Sequence, residues 1–323
     1  MSDPCRYQFR DQTRCSEPAL PESGLCYWHD PAQKKSDPEV KKRLEEKHQR
    51  GERLEGFQLA GSHLEDVHLV KADLRDANLA KANLIRAHMF NADLSGACLF
   101  KALVDKANLK TADMRGADLL GIHLGAAKME KVLLGEKNKV LNEIDGDRLW
   151  RQGEREKALV KYNEAQEIYR KIKINFKSRG HTVDSGQFFR REMVMIRKQK
   201  PFYSLERFWS KMADLTTSYG EMPQKIFSFS FFVIMICALL QAFIGMVTMN
   251  GRHLRWTFHQ SMEENLSVFY NALYFSMTSF TTVGYGDIIG AGWGKALAVL
   301  EAFCGAFLIS LFVITVYKRY MER

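Results

Sequence analysis

The chain has 323 residues, 46% of them apolar and 26% charged, with a net charge of +9 at neutral pH. Averaged in this way it resembles a soluble protein, but the average excludes little: charge is dense before about residue 225, whereas Ile226 to Met249 contains no charged residue at all. Basic residues crowd the flanks of the apolar segments, at Arg190, Arg191, Arg197, Lys198, Lys200, Arg207, Lys211 and Lys225 before the first and at Lys318, Arg319 and Arg323 after the last, a positive-inside pattern that puts both ends in the cytoplasm and argues against nucleic acid as the partner.

Met1 to Arg10 is polar, so no cleavable signal peptide is expected, and the six cysteines of a mostly cytoplasmic chain should stay reduced. Cys5, Cys15, Cys26 and His29 are separated by nine, ten and two residues. Three thiolates and an imidazole suit tetrahedral zinc, and Cys-x-x-His is a common closing pair. Pro18, Pro21 and Gly24 supply turns between the ligands. A segment this short has little core of its own, so a structural zinc would hold it together; the alternative is a set of unliganded thiols. Cys98, Cys237 and Cys304 lie in apolar contexts and read as packing residues. Residues 36–50 form a charged, helical linker.

From residue 52 to 134 a Leu, Met or Val recurs every five positions, from Leu54 through Met89, Val104 and Met129 to Leu134. Two positions before it stands a small residue, unbroken as alanine from Ala72 to Ala117. Five residues fit neither a helix face nor a continuous strand, because the leucines would spiral around the one and alternate faces on the other. The chain must therefore turn a corner in each repeat, with the leucine and its alanine inside. These repeats resemble the pentapeptide-repeat family, which implies a right-handed quadrilateral β-helix of about four coils, roughly 20 Å tall at the spacing of stacked strands. Some members of that family mimic DNA. Residues 52–134 carry eleven acids against eleven bases, and a neutral stem does not suit phosphate mimicry.

After the stem, Ala158, Tyr162, Ala165, Tyr169 and Ile172 make one helical stripe, and a second helix over Gly186 to Lys200 is expected to pack on it. The pair faintly resembles a tetratricopeptide-type hairpin. Tyr203 to Thr216 mixes Leu205, Phe208, Trp209 and Met212 with charges and reads as an amphipathic helix on membrane lipid.

The 24 residues from Ile226 to Met249 would rise about 36 Å as a helix, enough to span a bilayer core. A second span runs from Ala296 to Tyr317, with Glu301 its only charge. Between them, Asn265 to Phe280 is apolar but too short to span, and it leads into Thr281-Thr282-Val283-Gly284-Tyr285-Gly286-Asp287. Irregular backbone is tolerated at membrane depth only where it lines a water-filled path or is buried in protein. Gly284 and Gly286 allow backbone angles that turn successive carbonyls toward one axis, with Val283 and Tyr285 pointing outward.

This run resembles the filter signature of potassium channels. Residues 226–319 resemble the two-transmembrane potassium-channel family. The resemblance implies that Thr282, Val283, Gly284 and Tyr285 bind potassium ions, that Gly286 and Asp287 shape the outer mouth beside Thr281, and that four copies close the ring as a homotetramer. It also implies that Glu301 braces the filter from behind, against the alternative of a snorkelling acid. Gly305 is either a gating hinge or a close-packing site, and Phe312 either narrows the inner cavity or faces lipid.

The fold class expected is thus multidomain, an α-helical two-transmembrane pore plus a β-helix, a small zinc module and a helical connector. The expected boundaries are 1–35 for the zinc module, 36–50 for the linker, 51–135 for the β-helix, 136–200 for the connector, 201–225 for the interfacial helix and 226–323 for the pore. The expected place is a cell membrane, of the bacterial inner-membrane kind, crossed twice. No nucleophile, base or nucleotide motif points to an enzyme, and no sequence feature names a gating ligand. The stem has two candidate roles, one in gating or assembling the pore and one as a scaffold for an unknown cytosolic protein.

Overall fold

The computed structural model describes residues 3–321, and no side chain beyond Tyr317. Arg323 and the side chains of Lys318 and Arg319 therefore lie outside the described residues. The chain divides into two compact units, Met1–Arg207 and Phe208–Arg323.

In the first unit the five-residue period becomes a coil. Isolated parallel bridges join Gln58 to Asn78, His63 to Asn83, His68 to His88 and onward to Asp113 with Leu133, always twenty residues apart. Four repeats therefore complete one turn. Each side of the coil is a single bridged residue rather than a strand, because the next corner arrives before a second pair can form. The corners are left-handed: Asp66, Lys71, Asp76, Lys81, Arg86 and Asn91 all have φ between 55° and 61°. Such a residue with a Cβ costs roughly 1–2 kcal/mol, which burying one leucine per repeat, at about 1.5–3 kcal/mol, offsets. Every five-spaced residue from Leu54 to Leu134 is buried, as are the alanines from Ala72 to Ala117.

Before the stem, the N-terminal segment forms short bridges, Pro4 with Pro18 and Gln8 with Arg14, followed by helix α1 (Glu39–Gln49). After the stem come α2 (Leu141–Arg151), α3 (Arg155–Ser178) and α4 (Thr182–Gln199). Ala158, Tyr162, Ala165, Tyr169 and Ile172 are all buried on α3. The second connector helix begins at Thr182, four residues before the expected start at Gly186. α2 was not expected: its inward residues are Asn142, Glu143 and Gly146, so it shows no apolar stripe. Glu143 is 1% exposed, and the Tyr169 hydroxyl donates to it at 2.5 Å, with Arg191 at 3.4 Å and Lys198 at 3.3 Å. Toward its end α3 closes the last coil, where Asn175 donates to the Leu124 carbonyl and Arg179 to the Ala126 carbonyl and to Glu130 at 2.7 Å.

The second unit holds α6 (Gln224–Ile244), β1 (Met246–Thr248), β2 (His253–Leu254), α7 (Met262–Phe280), β3 (Ile288–Gly290) and α8 (Trp293–Met321). α5 (Leu205–Thr217) precedes α6, with Phe208 and Trp209 exposed. α6 and α8 are long and apolar enough to cross a membrane. The first span is shorter than the apolar run from Ile226 to Met249. Gly245, at φ 110°, ends the helix, and residues 246–248 become the central strand of the sheet β2-β1-β3. The last carbonyls of α6 find donors just beyond its end: Gly245 N–H donates to Gln241 O, Trp256 N–H to Ala242 O and Arg255 Nε to Phe243 O, all within 2.9 Å.

Candidate functional site

α7 starts in a capping box, Ser261 and Glu264 bonding each other's backbone N–H. Its carbonyl end runs directly into the loop Thr281–Asp287, where all seven residues are exposed in the single chain. Thr282, Gly284 and Gly286 take positive φ, at 59°, 52° and 77°, whereas Val283 and Tyr285 between them do not. Val283 and Gly284 both donate to the Thr278 carbonyl, at 3.0 and 3.3 Å. At the far end of the loop the Met249 N–H donates to Asp287 O at 2.8 Å, continuing the antiparallel register of β1 with β3.

Glu301 is 2% exposed and faces α7, where Ser276 hydrogen-bonds its Oε1 and also donates to Ile234 O. Glu301 Oε2 has no hydrogen-bond partner among the described residues. A Cβ at Gly305 would lie 1.9 Å from the Phe280 carbonyl oxygen, so this glycine is a close-packing position. Phe312 stands edge-on to Phe227 of α6, with ring centroids 4.7 Å apart, beside buried Ile226, Phe280 and Leu308.

In the first unit Cys5, Cys15, Cys26 and His29 come together with their four donor atoms within 4.8 Å of one another, all buried. Cys26 Sγ lies 3.1 Å and Cys5 Sγ 3.7 Å from His29 Nδ1, and Cys15 Sγ lies 4.0 Å from Cys26 Sγ. Sulfurs around a tetrahedral zinc stand about 3.8 Å apart, so the cluster has the size that ion needs. Bonding from Cys15 and then His29 holds the Cys26 thiol well below its ordinary range, while the same contact with Cys26 pushes Cys15 up. The Cys26 N–H donates to Cys5 Sγ at 3.1 Å, and Tyr7 stacks on His29 at 3.9 Å. The second imidazole nitrogen, Nε2, donates to the Glu55 carbonyl at 3.0 Å, leaving Nδ1 a lone pair for a metal.

The ion channel family matches residues 226–322, the whole stretch from α6 through the loop to the end of α8. Pentapeptide repeats, in eight copies, match residues 68–103 and 92–130. This chain joins an ion channel domain of the two-transmembrane potassium-channel type to pentapeptide repeats. The channel match takes in both apolar helices, α6 and α8, and the loop between them. No curated protein matches the chain. Among solved structures it is similar to a pentapeptide repeat protein of the Arabidopsis thaliana thylakoid lumen, at 28% identity over 24% of this chain and 55% of that one, with a TM-score of 0.24. A pentapeptide repeat protein from the cyanobacterium Cyanothece 51142 is also 28% identical, over 24% and 57% of the two chains, with a TM-score of 0.16. A third, involved in heterocyst differentiation regulation in Nostoc sp. strain PCC 7120, is 25% identical over 26% and 60%, with a TM-score of 0.13. The channel–repeat fusion thus spans less than two thirds of each of these chains.

Three contributors to the two sites were not visible as motifs. Ser276 is one of many small residues on a membrane helix, Met249 sits inside an apolar run, and Glu55 acts through its backbone.

Proposed function

We propose that the protein is a potassium-selective channel, conducting passively through a homotetrameric filter built from Thr282, Val283, Gly284, Tyr285 and Gly286. The observation that carries this reading is the alternation of φ along the loop. Alternating left- and right-handed residues turn successive carbonyls to one side, which suits the replacement of a cation's water shell. The carbonyl end of α7 beside the loop adds a partial negative charge that favours a cation there. Val283 and Tyr285, 53% and 72% exposed in one chain, offer the surface that neighbouring copies would cover. Thr281, Asp287 and Glu301 support the filter. A hinge at Gly305 would work by releasing α8 from Phe280, and Phe312 borders the inner cavity.

In this reading residues 51–135 are a right-handed quadrilateral β-helix that, together with the connector, gates or assembles the pore. Zinc is the structural metal of Cys5, Cys15, Cys26 and His29, both termini are cytoplasmic in a bacterial inner membrane, α5 lies on lipid, and the chain performs no catalysis. Val70 and Phe90, exposed and one coil apart, favour a second role for the stem as a docking face for a cytosolic protein.

Purified protein in liposomes tests the main reading. Its reversal potential should follow the potassium gradient and ignore sodium, and Gly284→Ala should abolish that preference. A reversal potential indifferent to potassium overturns the proposal.

A further inference from the structure

The first coil of a stack has no coil before it, and its unpaired edge needs cover. Inside the stem each bridged N–H reaches 21 residues back, as Asn78 to Phe57, Asn83 to Ser62 and His88 to Val67 do. Gln58 and His68 have no such partner, yet neither is bare. Gln58 N–H donates to the Trp28 carbonyl at 2.8 Å, and His68 N–H to Glu45 Oε1 at 2.8 Å. Two carbonyls on the same edge are met as well, Glu55 O by His29 Nε2 at 3.0 Å and Val70 O by His48 Nε2 at 3.0 Å. The cysteine–histidine module thus covers one part of the edge and α1 another. Lys47 pairs with Glu17 and Arg43 lies over the Tyr27 ring at 4.5 Å, so the two parts hold each other.

We infer that residues 3–50 form a metal-fastened cap on the first coil, in which His29 binds the ion through Nδ1 while its Nε2–H seats the cap on Glu55. The inference rests on the metal reading of the four ligands. Two further residues share the work of seating. Trp28 stacks on Phe57 with centroids 5.0 Å apart, and Arg10 reaches three successive coils by donating to Glu55 Oε1 through its N–H and to Asp76 and the Ser95 carbonyl through its guanidinium. Without the ion, nothing ties Cys5, Cys15, Cys26 and His29 Nδ1 to a common centre, and Trp28 and His29 lose the frame that aims them. Because one imidazole ring serves both ends, metal binding and cap seating favour each other reciprocally.

Hydrogen exchange on the full chain in detergent, zinc-loaded and then stripped by a chelator, reads this directly. Stripping should speed exchange at Gln58 and His68 at least ~10-fold, leave Leu99 to Leu119 unchanged, and be reversed by zinc. His29→Cys keeps four metal ligands but removes the Nε2 donor, so it should bind zinc without restoring slow exchange at Gln58. Arg10→Ala, which loosens the cap from the stem side, should weaken zinc binding by about 10–100-fold. Equal exchange with and without bound zinc, full protection in His29→Cys, or native zinc affinity in Arg10→Ala would overturn the inference while leaving the metal site standing. Purified protein that neither contains nor takes up zinc would overturn both.

Discussion

Gly305 in α8 and Phe280 at the end of α7 touch backbone to backbone, so closely that a Cβ on the glycine would sit 1.9 Å from the Phe280 oxygen. Phe280 is the last residue of the helix that leads into the loop Thr281–Asp287. Gly305→Ala must therefore push that helix end or bend α8. Overpacking of this kind costs about 1–3 kcal/mol. The expected result is a lower melting temperature of the detergent-solubilised protein together with weakened potassium preference. A hinge without the packing role would instead give altered open probability at unchanged thermal stability.

Ser276 and Glu301 form the second tie between α7 and α8. Glu301 is almost fully buried, and one of its oxygens already lacks a partner among the described residues. Removing the hydroxyl in Ser276→Ala strands the other oxygen, at about 1–3 kcal/mol. Because the residues share one interaction, the double variant Ser276→Ala with Glu301→Gln should lose less than the sum of the two single variants. Thermal stability of the four proteins checks this, and strictly additive losses would refute the coupling.

Lys35 gives a pH prediction for the first unit. Its side chain is 2% exposed, and it donates to the Asp30 and Gln33 carbonyls at 3.0 Å each. Burial pushes its pKa down from 10.5 to about 8. Between those two values the unfolded chain holds the proton and the folded chain does not, so the stability of this region rises as pH climbs through the window. The gain is on the order of 1–3 kcal/mol. Lys35→Met should remove it. Unfolding of wild type and variant between pH 7.5 and about 10.5 reads the difference: the wild type should gain stability across the window and the variant should not.

Much of this architecture is legible in the chain because it rests on repetition and on apolar length. The five-residue spacing of leucine and alanine forces corners, and the corners force a coil. Cys5, Cys15, Cys26 and His29 stand out as residue types whose chemistry converges. What stays hidden has a physical reason in each case. Lys71, Lys81 and Arg86 turn corners in a left-handed conformation that lysine and arginine do not advertise, since the stacked coils rather than local preference hold them there. α2 turns Glu143 inward to Tyr169, so its buried face reads as polar surface. The strand β1 continues the apolar run of α6, and only the φ of Gly245 separates them. The role of Glu55 toward His29 runs through a carbonyl, which every residue has.

The strand β1 also supplies the last prediction. Met246, Val247 and Thr248 pair with Gly290, Ile289 and Ile288, and the next N–H, that of Met249, reaches the Asp287 carbonyl. That bond grips the Asp287 end of the loop Thr281–Asp287 from a strand anchored at Gly245. Met249 is itself 86% exposed, so its side chain contributes little packing. Met249→Pro deletes the one donor, since proline has no N–H, whereas Met249→Ala keeps it. Loss of a single backbone hydrogen bond is worth about 0.5–1.5 kcal/mol, enough to change how long the loop holds its shape without unfolding the channel. In bilayer recordings the proline variant should show currents that decay faster during sustained opening and a lower potassium-to-sodium permeability ratio, while the alanine variant matches the wild type. Identical behaviour of all three would mean that the outer sheet has no grip on the filter.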